Sequence, residues 1–169
     1  MIFRKTRVED IPAIMEIIRQ AQGYMKAQGI DQWQNGYPNE AVFLEDIRKG
    51  YSYVCEDCGE VVATVAVIFD GEPTYDRIYK GAWLTTDIPY AAIHRIAVDE
   101  RRKGQGVAGF MIGEIEKMCR DRGVYSIKND THRDNLSMQK MQAKNGFTYC
   151  GIIFLADGAE RIACEKVLE

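Results

Sequence analysis

The 169-residue sequence has no hydrophobic run long enough to cross a membrane and no large excess of charge of either sign. Its longest apolar run, from Val61 to Phe69, is far shorter than the roughly 20 residues that a transmembrane helix needs. The first residues lack the apolar core and cleavage site of a signal peptide. A formal net charge of −3 gives no general attraction for nucleic acid. We therefore expect a cytoplasmic protein that binds neither membranes nor nucleic acid.

The sequence also lacks a set of cysteines that would form disulfides or a zinc site. Five cysteines is an odd number, and free thiols are the expectation for an intracellular chain. Cys55 and Cys58 have the spacing of half a zinc knuckle, but no second pair completes four ligands. The segment is more typical of a hairpin turn. We therefore predict reduced cysteines and no bound metal.

Composition and periodicity indicate one domain over residues 1–169, because the chain is 46% hydrophobic and 28% charged and shows no repeat or linker. Strands are predicted at residues 2–5, 51–55, 60–69, 93–98, 125–131, 148–154 and 161–167. Helices are predicted from residue 6 or residue 10, from 39 to 49, from 105 to 122 and from 134 to 145. Long loops are predicted at 29–38 and 70–89. The fold class is α/β, with a mixed central β-sheet flanked by helices.

The strongest local signal is a basic turn with two glycines between an apolar strand and a helix. The strand that ends at Val98 is followed by Arg101-Arg102-Lys103-Gly104-Gln105-Gly106, where the helix begins. A helix N-terminus presents unpaired N–H groups and the positive end of the helix dipole, which favour a phosphate. Gly104 and Gly106 let the main chain approach an anion closely. The pattern predicts a phosphate site, with an ordinary surface turn as the alternative.

Two nucleotide-binding motifs fit this turn poorly. Residues 104–109 match the dinucleotide fingerprint, and Asp130 lies near the distance of its ribose-binding acid. That fingerprint follows its strand directly, whereas five residues separate Val98 from Gly104, and too little chain follows for a doubly wound sheet. The Gly-Lys-Ser/Thr of a phosphate-binding loop is absent.

The turn resembles the acetyl-CoA signature of the GNAT superfamily of N-acetyltransferases. That signature is Gln/Arg-x-x-Gly-x-Gly/Ala between a central strand and a helix, and residues 101–106 match it. A second signature is an Asn followed by a helix that ends in Lys-x-Gly-Phe, and it is matched by Asn135, Lys144, Gly146 and Phe147. The two signatures occur in the family's order, and the match is strongest over residues 91–154.

This resemblance implies the GNAT fold and transfer of the acetyl group of acetyl-CoA to a primary amine, by direct attack in a ternary complex. In the family the turn binds the pyrophosphate, and the pantetheine pairs with the central strand like an extra strand. The residues so assigned to acetyl-CoA are Ile96, Ala97, Val98, Arg101, Arg102, Lys103, Gly104, Gln105, Gly106, Val107, Ala108 and Asn135. The resemblance leaves open whether the acceptor is a small molecule or a peptide. It also leaves open whether the protein forms a homodimer.

Three residues are candidates for the base that removes the proton of the amine. Asp130 stands five residues before Asn135, where several GNAT enzymes that act on peptide amines carry a carboxylate base. An exposed Asp with a pKa near ~3.9 is a poor base and needs burial or a water relay. His132 and His94 have a better matched usual pKa of about 6.5. The structural alternatives are that Asp130 caps the following helix and that His94 is an ordinary strand residue.

One position departs from the family pattern. The family often has a Tyr that protonates the leaving CoA thiolate, and this chain has Gln142 there. A Gln donates a hydrogen bond but no proton, although a thiol with a pKa near ~8.5 leaves tolerably as the thiolate. Tyr149 and Tyr90 are candidates to replace it. The departure keeps a second function open, a non-catalytic acyl-CoA-binding or sensing module.

Loop aromatics are expected to wall the acceptor site in this fold. They are Trp33, Tyr37, Tyr75, Trp83 and Tyr90. Aromatic rings there suit an apolar or a cationic acceptor. We expect at least two of them to line a pocket, and the others to anchor their loops.

Overall fold

The computed structural model describes all residues from Met1 to Glu169, which form seven strands and four α-helices. The strands are β1 (Ile2–Lys5), β2 (Ser52–Asp57), β3 (Glu60–Ile68), β4 (Ala91–Val98), β5 (Ser126–Thr131), β6 (Thr148–Phe154) and β7 (Glu160–Val167). The helices are α1 (Ile11–Ala27), α2 (Glu40–Lys49), α3 (Val107–Asp121) and α4 (Leu136–Lys144). None of them combines the length and apolarity needed to cross a membrane.

The strands hydrogen-bond in the order β1-β2-β3-β4-β5-β7-β6. The β4–β5 pair is parallel, whereas the β1–β2, β2–β3, β5–β7 and β6–β7 pairs are antiparallel. The predicted α/β fold with a mixed sheet is thereby confirmed. By main-chain proximity the chain forms two compact units, of which the first comprises Met1–Val67 and Arg95–Glu114 and the second Ile68–His94 and Ile115–Glu169.

The core of the first unit is an isoleucine face of α1. Its members recur every three or four residues, so they share one side of the helix. They are Ile11, Ile14, Ile17 and Ile18, and they pack with Phe43, Val54 and Ala97. Of the two predicted starts of α1, the one at Asp10 is correct. The predicted cap of α2 is also confirmed, because Asn39 Oδ1 accepts a hydrogen bond from Val42 N at 3.2 Å.

The core of the second unit joins the long loop between β3 and β4 to the sheet. Tyr75 lies in a short 3-10 helix of this loop and packs with Ala92, Ile153 and Ala163. Tyr79 exchanges two main-chain hydrogen bonds of 2.8 Å with Ile152 of β6, the last strand in the order. A Cβ atom at Gly81 would lie 1.9 Å from a main-chain oxygen of β6, so the loop lies directly against this strand.

Two helices begin later than predicted, each for a local reason. α3 begins at Val107 because Gly104 and Gly106 have φ angles of 77° and 83°, outside the helical region. α4 begins at Leu136 because Asn135 is its N-cap and accepts a hydrogen bond from Met138 N at 3.1 Å.

Candidate active site

The glycine turn, which we define as residues 101–106, lies in the first unit between β4 and α3. Gly104 and Gly106 both have left-handed backbone, and no heavy atom lies within 4 Å of an ideal Cβ position at either residue. The main chain is therefore open on that side. The helix that follows leaves its first N–H groups without intrahelical partners. Main-chain donors at a helix N-terminus are what a phosphate requires.

The arginines of the glycine turn are already paired with carboxylates. Arg101 binds Asp99 through two nitrogens, at 3.1 and 2.9 Å. Arg102 forms an ion pair with Asp57 and donates to Gln105 Oε1 at 3.0 Å. Each carboxylate offsets one positive charge, so an anion at this turn would be held mainly by main-chain N–H groups.

Arg95 is a residue that the sequence analysis missed. Its φ of 53° is left-handed, which interrupts the regular backbone of β4 directly after His94. The guanidinium is bound by buried Asp46 at 2.7 and 2.8 Å, and Arg95 Nη1 donates to Tyr37 Oη at 3.1 Å. The predicted pantetheine-binding residues, 96–98, follow this kink. The pairing of β4 with β5 covers only Ala91 and Ala92.

Asp130 lies near the end of β5 in the second unit, where it is partly exposed. Its Oδ2 accepts a hydrogen bond of 2.7 Å from the hydroxyl of buried Tyr75. Burial raises the pKa of Asp130, and it raises the pKa of Tyr75 well above its usual value, so the tyrosine remains a donor. A carboxylate with a raised pKa is a stronger base than an exposed one. Asp130 does not cap α4, because Asn135 has that role.

His94 lies beside the same tyrosine, with ring centroids 5.9 Å apart. Its Nε2 lies 2.9 Å from Glu72 Oε2, but the contact does not have the alignment of a hydrogen bond, so it is an electrostatic one. This contact lowers the pKa of Glu72 to about 2. The structure thus brings Asp130, Tyr75, His94 and Glu72 together, and we call these four residues the Asp130 cluster.

His132 uses one ring nitrogen locally. Its Nδ1 accepts a hydrogen bond from Asp134 N at 3.1 Å and lies 3.8 Å from Asp134 Oδ2. A neutral imidazole that accepts at Nδ1 carries its proton on Nε2. The lone pair that a base would use is therefore already engaged in the turn before α4.

Gln142 occupies a core position. It is 2% exposed, and its Nε2 donates to Oδ1 of fully buried Asn129 at 3.1 Å. Of the two tyrosines considered as replacements for the missing acid, Tyr149 is 55% exposed on β6. Tyr90 Oη accepts a hydrogen bond from Glu72 N at 2.9 Å.

The predicted aromatic residues divide into two groups. Trp33 packs against the core of the first unit, and Tyr37 binds Arg95. Tyr75, Trp83 and Tyr90 instead form an aromatic cluster in the second unit, with Tyr75 5.3 Å from Trp83 and 6.3 Å from Tyr90 between ring centroids. The Nζ of Lys128 lies 4.5 Å from the Trp83 centroid and 4.4 Å from that of Tyr90. Strand alternation places Lys128 on the same face of β5 as Asp130, but it gives no sign of this contact.

A surface pocket of about 400 Å³ in the second unit lies apart from these groups. Its lining residues are Pro73, Thr74, Asp76, Arg77, Tyr79, Phe154 and Ala156. It contains neither Asp130 nor a histidine, so it does not carry the predicted chemistry.

A mixed sheet with a glycine turn before a helix is the architecture of acetyltransferases, and comparison with known proteins agrees. Residues 13–147 match the model of the acetyltransferase (GNAT) family. The chain therefore belongs to the GNAT family. A GNAT-family acetyltransferase from Streptococcus agalactiae 2603 is 34% identical with a TM-score of 0.90, over 99% of this chain and 95% of that one.

More distant structures share the fold. The PaiA N-acetyltransferase from Thermoplasma acidophilum, solved in complex with coenzyme A, is 16% identical with a TM-score of 0.72, over 98% of each chain. A ribosomal-protein-alanine N-acetyltransferase from Brucella melitensis is 18% identical with a TM-score of 0.66, over 99% of this chain and 100% of that one. No curated protein sequence matches the chain.

Proposed function

We propose that this protein is an N-acetyltransferase that transfers the acetyl group of acetyl-CoA to a primary amine in a ternary complex. Membership of the GNAT family supports acetyl transfer, and the open main chain at Gly104 and Gly106 supports binding of the pyrophosphate. The observation that carries the proposal is Asp130, a partly exposed carboxylate whose pKa burial raises and whose orientation Tyr75 fixes.

Asp130 is the base in this proposal. Its carboxylate accepts a proton from the ammonium group of the acceptor, since only the neutral amine has a lone pair for attack. The amine nitrogen then forms a bond to the thioester carbon, and the carbon–sulfur bond breaks to release the CoA thiolate. The second proton of the attacking nitrogen passes to solvent water as the amide forms. Tyr75 has a positioning role, because its hydroxyl holds Oδ2 of Asp130. His94 is the alternative base, and its contact with Glu72 ties it to the same cluster.

The CoA sulfur leaves as a thiolate, because Gln142 has no proton to give and is bound to Asn129. The same observation favours a second function. A GNAT domain with an amide in this position suits a protein that binds acyl-CoA without turning it over.

Two measurements separate these functions. Isothermal titration with CoA tests binding, and release of free thiol from acetyl-CoA across a panel of amines tests transfer. Binding together with amine-dependent thiol release supports the enzyme. Binding without release for any amine supports the sensor, and the absence of binding would contradict both.

A further inference from the structure

The side chain of Lys128 lies in the aromatic cluster, and its ammonium group makes no hydrogen bond to another residue. The residue is 6% exposed, and the rings of Trp83 and Tyr90 both lie within 4.5 Å of Nζ. Aromatic faces attract the charge but satisfy none of the three N–H donors as a carboxylate would. Glu165 and Cys150 act on this charge through space only, and burial lowers the pKa of Lys128. The three N–H donors of Lys128 are therefore available to an anion that reaches the aromatic cluster.

The carboxylate that would normally pair with Lys128 is used elsewhere. Glu165 stands directly opposite Lys128 in the β5–β7 register, where unlike charges usually pair. Its oxygens instead accept hydrogen bonds from Leu84 N at 2.6 Å, Thr85 N at 3.2 Å, Ser126 Oγ at 2.7 Å and the Thr85 hydroxyl. Fully buried Glu165 therefore fixes the loop that carries Trp83. It does not accept a hydrogen bond from the ammonium group of Lys128.

Lys128 and Asp130 form a pair of opposite charges on one face of β5. Residues two apart on a strand point to the same side, with their Cα atoms about 7 Å apart. The aromatic cluster borders both, because Tyr75 binds Asp130 while Trp83 and Tyr90 enclose Lys128. A cationic acceptor without an anionic group would be repelled by the positive charge of Lys128. It also could not bind between the rings of Trp83 and Tyr90, because Lys128 already occupies that position.

We propose that the acceptor is a small amino-acid-like molecule, in which Lys128 binds the carboxylate while Asp130 receives the proton of the amine. This inference rests on the proposed acetyl transfer and narrows its acceptor to amines that carry a carboxylate. The aromatic cluster then contacts the apolar part of that molecule. Lys128 determines specificity through binding and takes no proton in the reaction.

Matched pairs of acceptors test this inference in the wild-type protein. Each pair is an amino acid and the amine left after its decarboxylation: phenylalanine with phenethylamine, methionine with 3-(methylthio)propylamine, and leucine with isoamylamine. We expect kcat/KM to be at least about tenfold higher for the carboxylated member of the preferred pair, because a charge-assisted contact is lost in its partner. Equal or higher kcat/KM for the decarboxylated amines in every pair would overturn the inference and leave acetyl transfer standing.

Variants of Lys128 locate the effect. Lys128→Met keeps a chain of similar length without charge, and we expect the ratio of kcat/KM within the pair to fall at least about tenfold, mainly through a higher KM for the amino acid. Lys128→Arg should restore part of the ratio. Lys140→Met removes an exposed lysine of α4 and should leave the ratio unchanged. An unchanged ratio in Lys128→Met would overturn the role of Lys128.

A binding measurement separates the proposed anion site at Lys128 from the proposed acetyl transfer. It can be made even if no amine is acetylated at a measurable rate. N-acetylphenylalanine and N-acetylphenethylamine are titrated into the CoA-loaded protein. Tighter binding of the carboxylated compound, lost in Lys128→Met, supports the anion site even if no amine is acetylated, in which case acetyl transfer is the proposal that fails. No preference in binding and no preference in turnover would overturn the anion site.

Discussion

The glycine turn of the first unit and the Asp130 cluster of the second are built in opposite ways. The turn is a contiguous segment whose relevant groups are main-chain N–H donors, and its arginines are bound by Asp57 and Asp99. The cluster consists of side chains distant in sequence, since Tyr75 and Asp130 are 55 residues apart. A site made of main chain depends on backbone conformation, whereas a site made of side chains depends on single atoms. The two should therefore respond to different kinds of substitution.

The largest effect is expected in the Asp130 cluster, when one carboxylate oxygen of Asp130 is replaced by an amide nitrogen. Asp130→Asn should lower kcat by about 10²–10⁴ while CoA affinity stays near wild type, because the amide accepts no proton. The carboxylate is the active form and its pKa is raised, so wild-type kcat/KM should fall with decreasing pH at a higher pH than for an ordinary Asp. That acidic limb should disappear in the variant.

Asp134→Asn is the matched control for this change, because Asp134 is exposed and precedes the cap of α4. It should keep the rate and the pH profile. Full activity with an unchanged profile in Asp130→Asn would move the role of base to His94, and His94→Gln would be measured next.

The turn should respond to backbone strain instead. Gly104→Val and Gly106→Val should each weaken CoA binding by at least about tenfold, because a left-handed backbone disfavours a branched residue and the new atoms obstruct the approach of the phosphate. Isothermal titration measures the affinity. Gly113→Val makes the same replacement inside α3, where no atom lies within 4 Å of the ideal Cβ, and should bind CoA as wild type does. Wild-type affinity in both turn variants, with the fold intact, would disprove the pyrophosphate assignment.

A smaller effect is expected from Tyr75, which lowers the pKa of the base Asp130 but does not itself accept the proton. The hydrogen bond from its hydroxyl stabilises the charged form of Asp130, so Tyr75→Phe should raise the pKa of that carboxyl further. The acidic limb of the pH–rate profile should therefore move to higher pH, while the rate on the plateau changes less than in Asp130→Asn. Tyr79→Phe is the control on the same loop, and a limb that stays in place in Tyr75→Phe would contradict the positioning role.

The smallest effect is expected from the arginine side chains of the glycine turn. Arg101→Ala and Arg102→Ala should each weaken CoA binding less than about tenfold, because both guanidinium groups are paired and Arg101 is largely exposed. The loss should shrink as salt is added. Titration at low and high ionic strength measures it. A loss greater than that in Gly106→Val would mean that side-chain charge, not the main chain, dominates this turn.

The same contrast explains which features the sequence could predict. The strands and helices follow from periodicity and capping residues such as Asn39, and the turn follows from glycine spacing, because these are local signals. Asp130 was located only through its spacing from Asn135. The roles of Tyr75, Lys128 and Glu165 depend on partners brought together by the fold. The left-handed φ of Arg95 likewise occurs at a residue whose side chain pairs with Asp46, which is distant in sequence. No local pattern signals either kind of feature.

The docking of Tyr79 on Ile152 has a consequence for the behaviour of the protein at high concentration. An outermost strand exposes unpaired main-chain groups, which recruit strands from other molecules and begin aggregation. Here the protein's own loop occupies the middle of β6, and Gly81 permits an approach that any side chain would prevent. The loop that carries Tyr75 and Trp83 therefore also covers part of the edge of β6 and hinders its pairing with a strand of another molecule. A substitution that detached this loop would therefore expose the edge of the sheet and disturb the aromatic cluster at the same time.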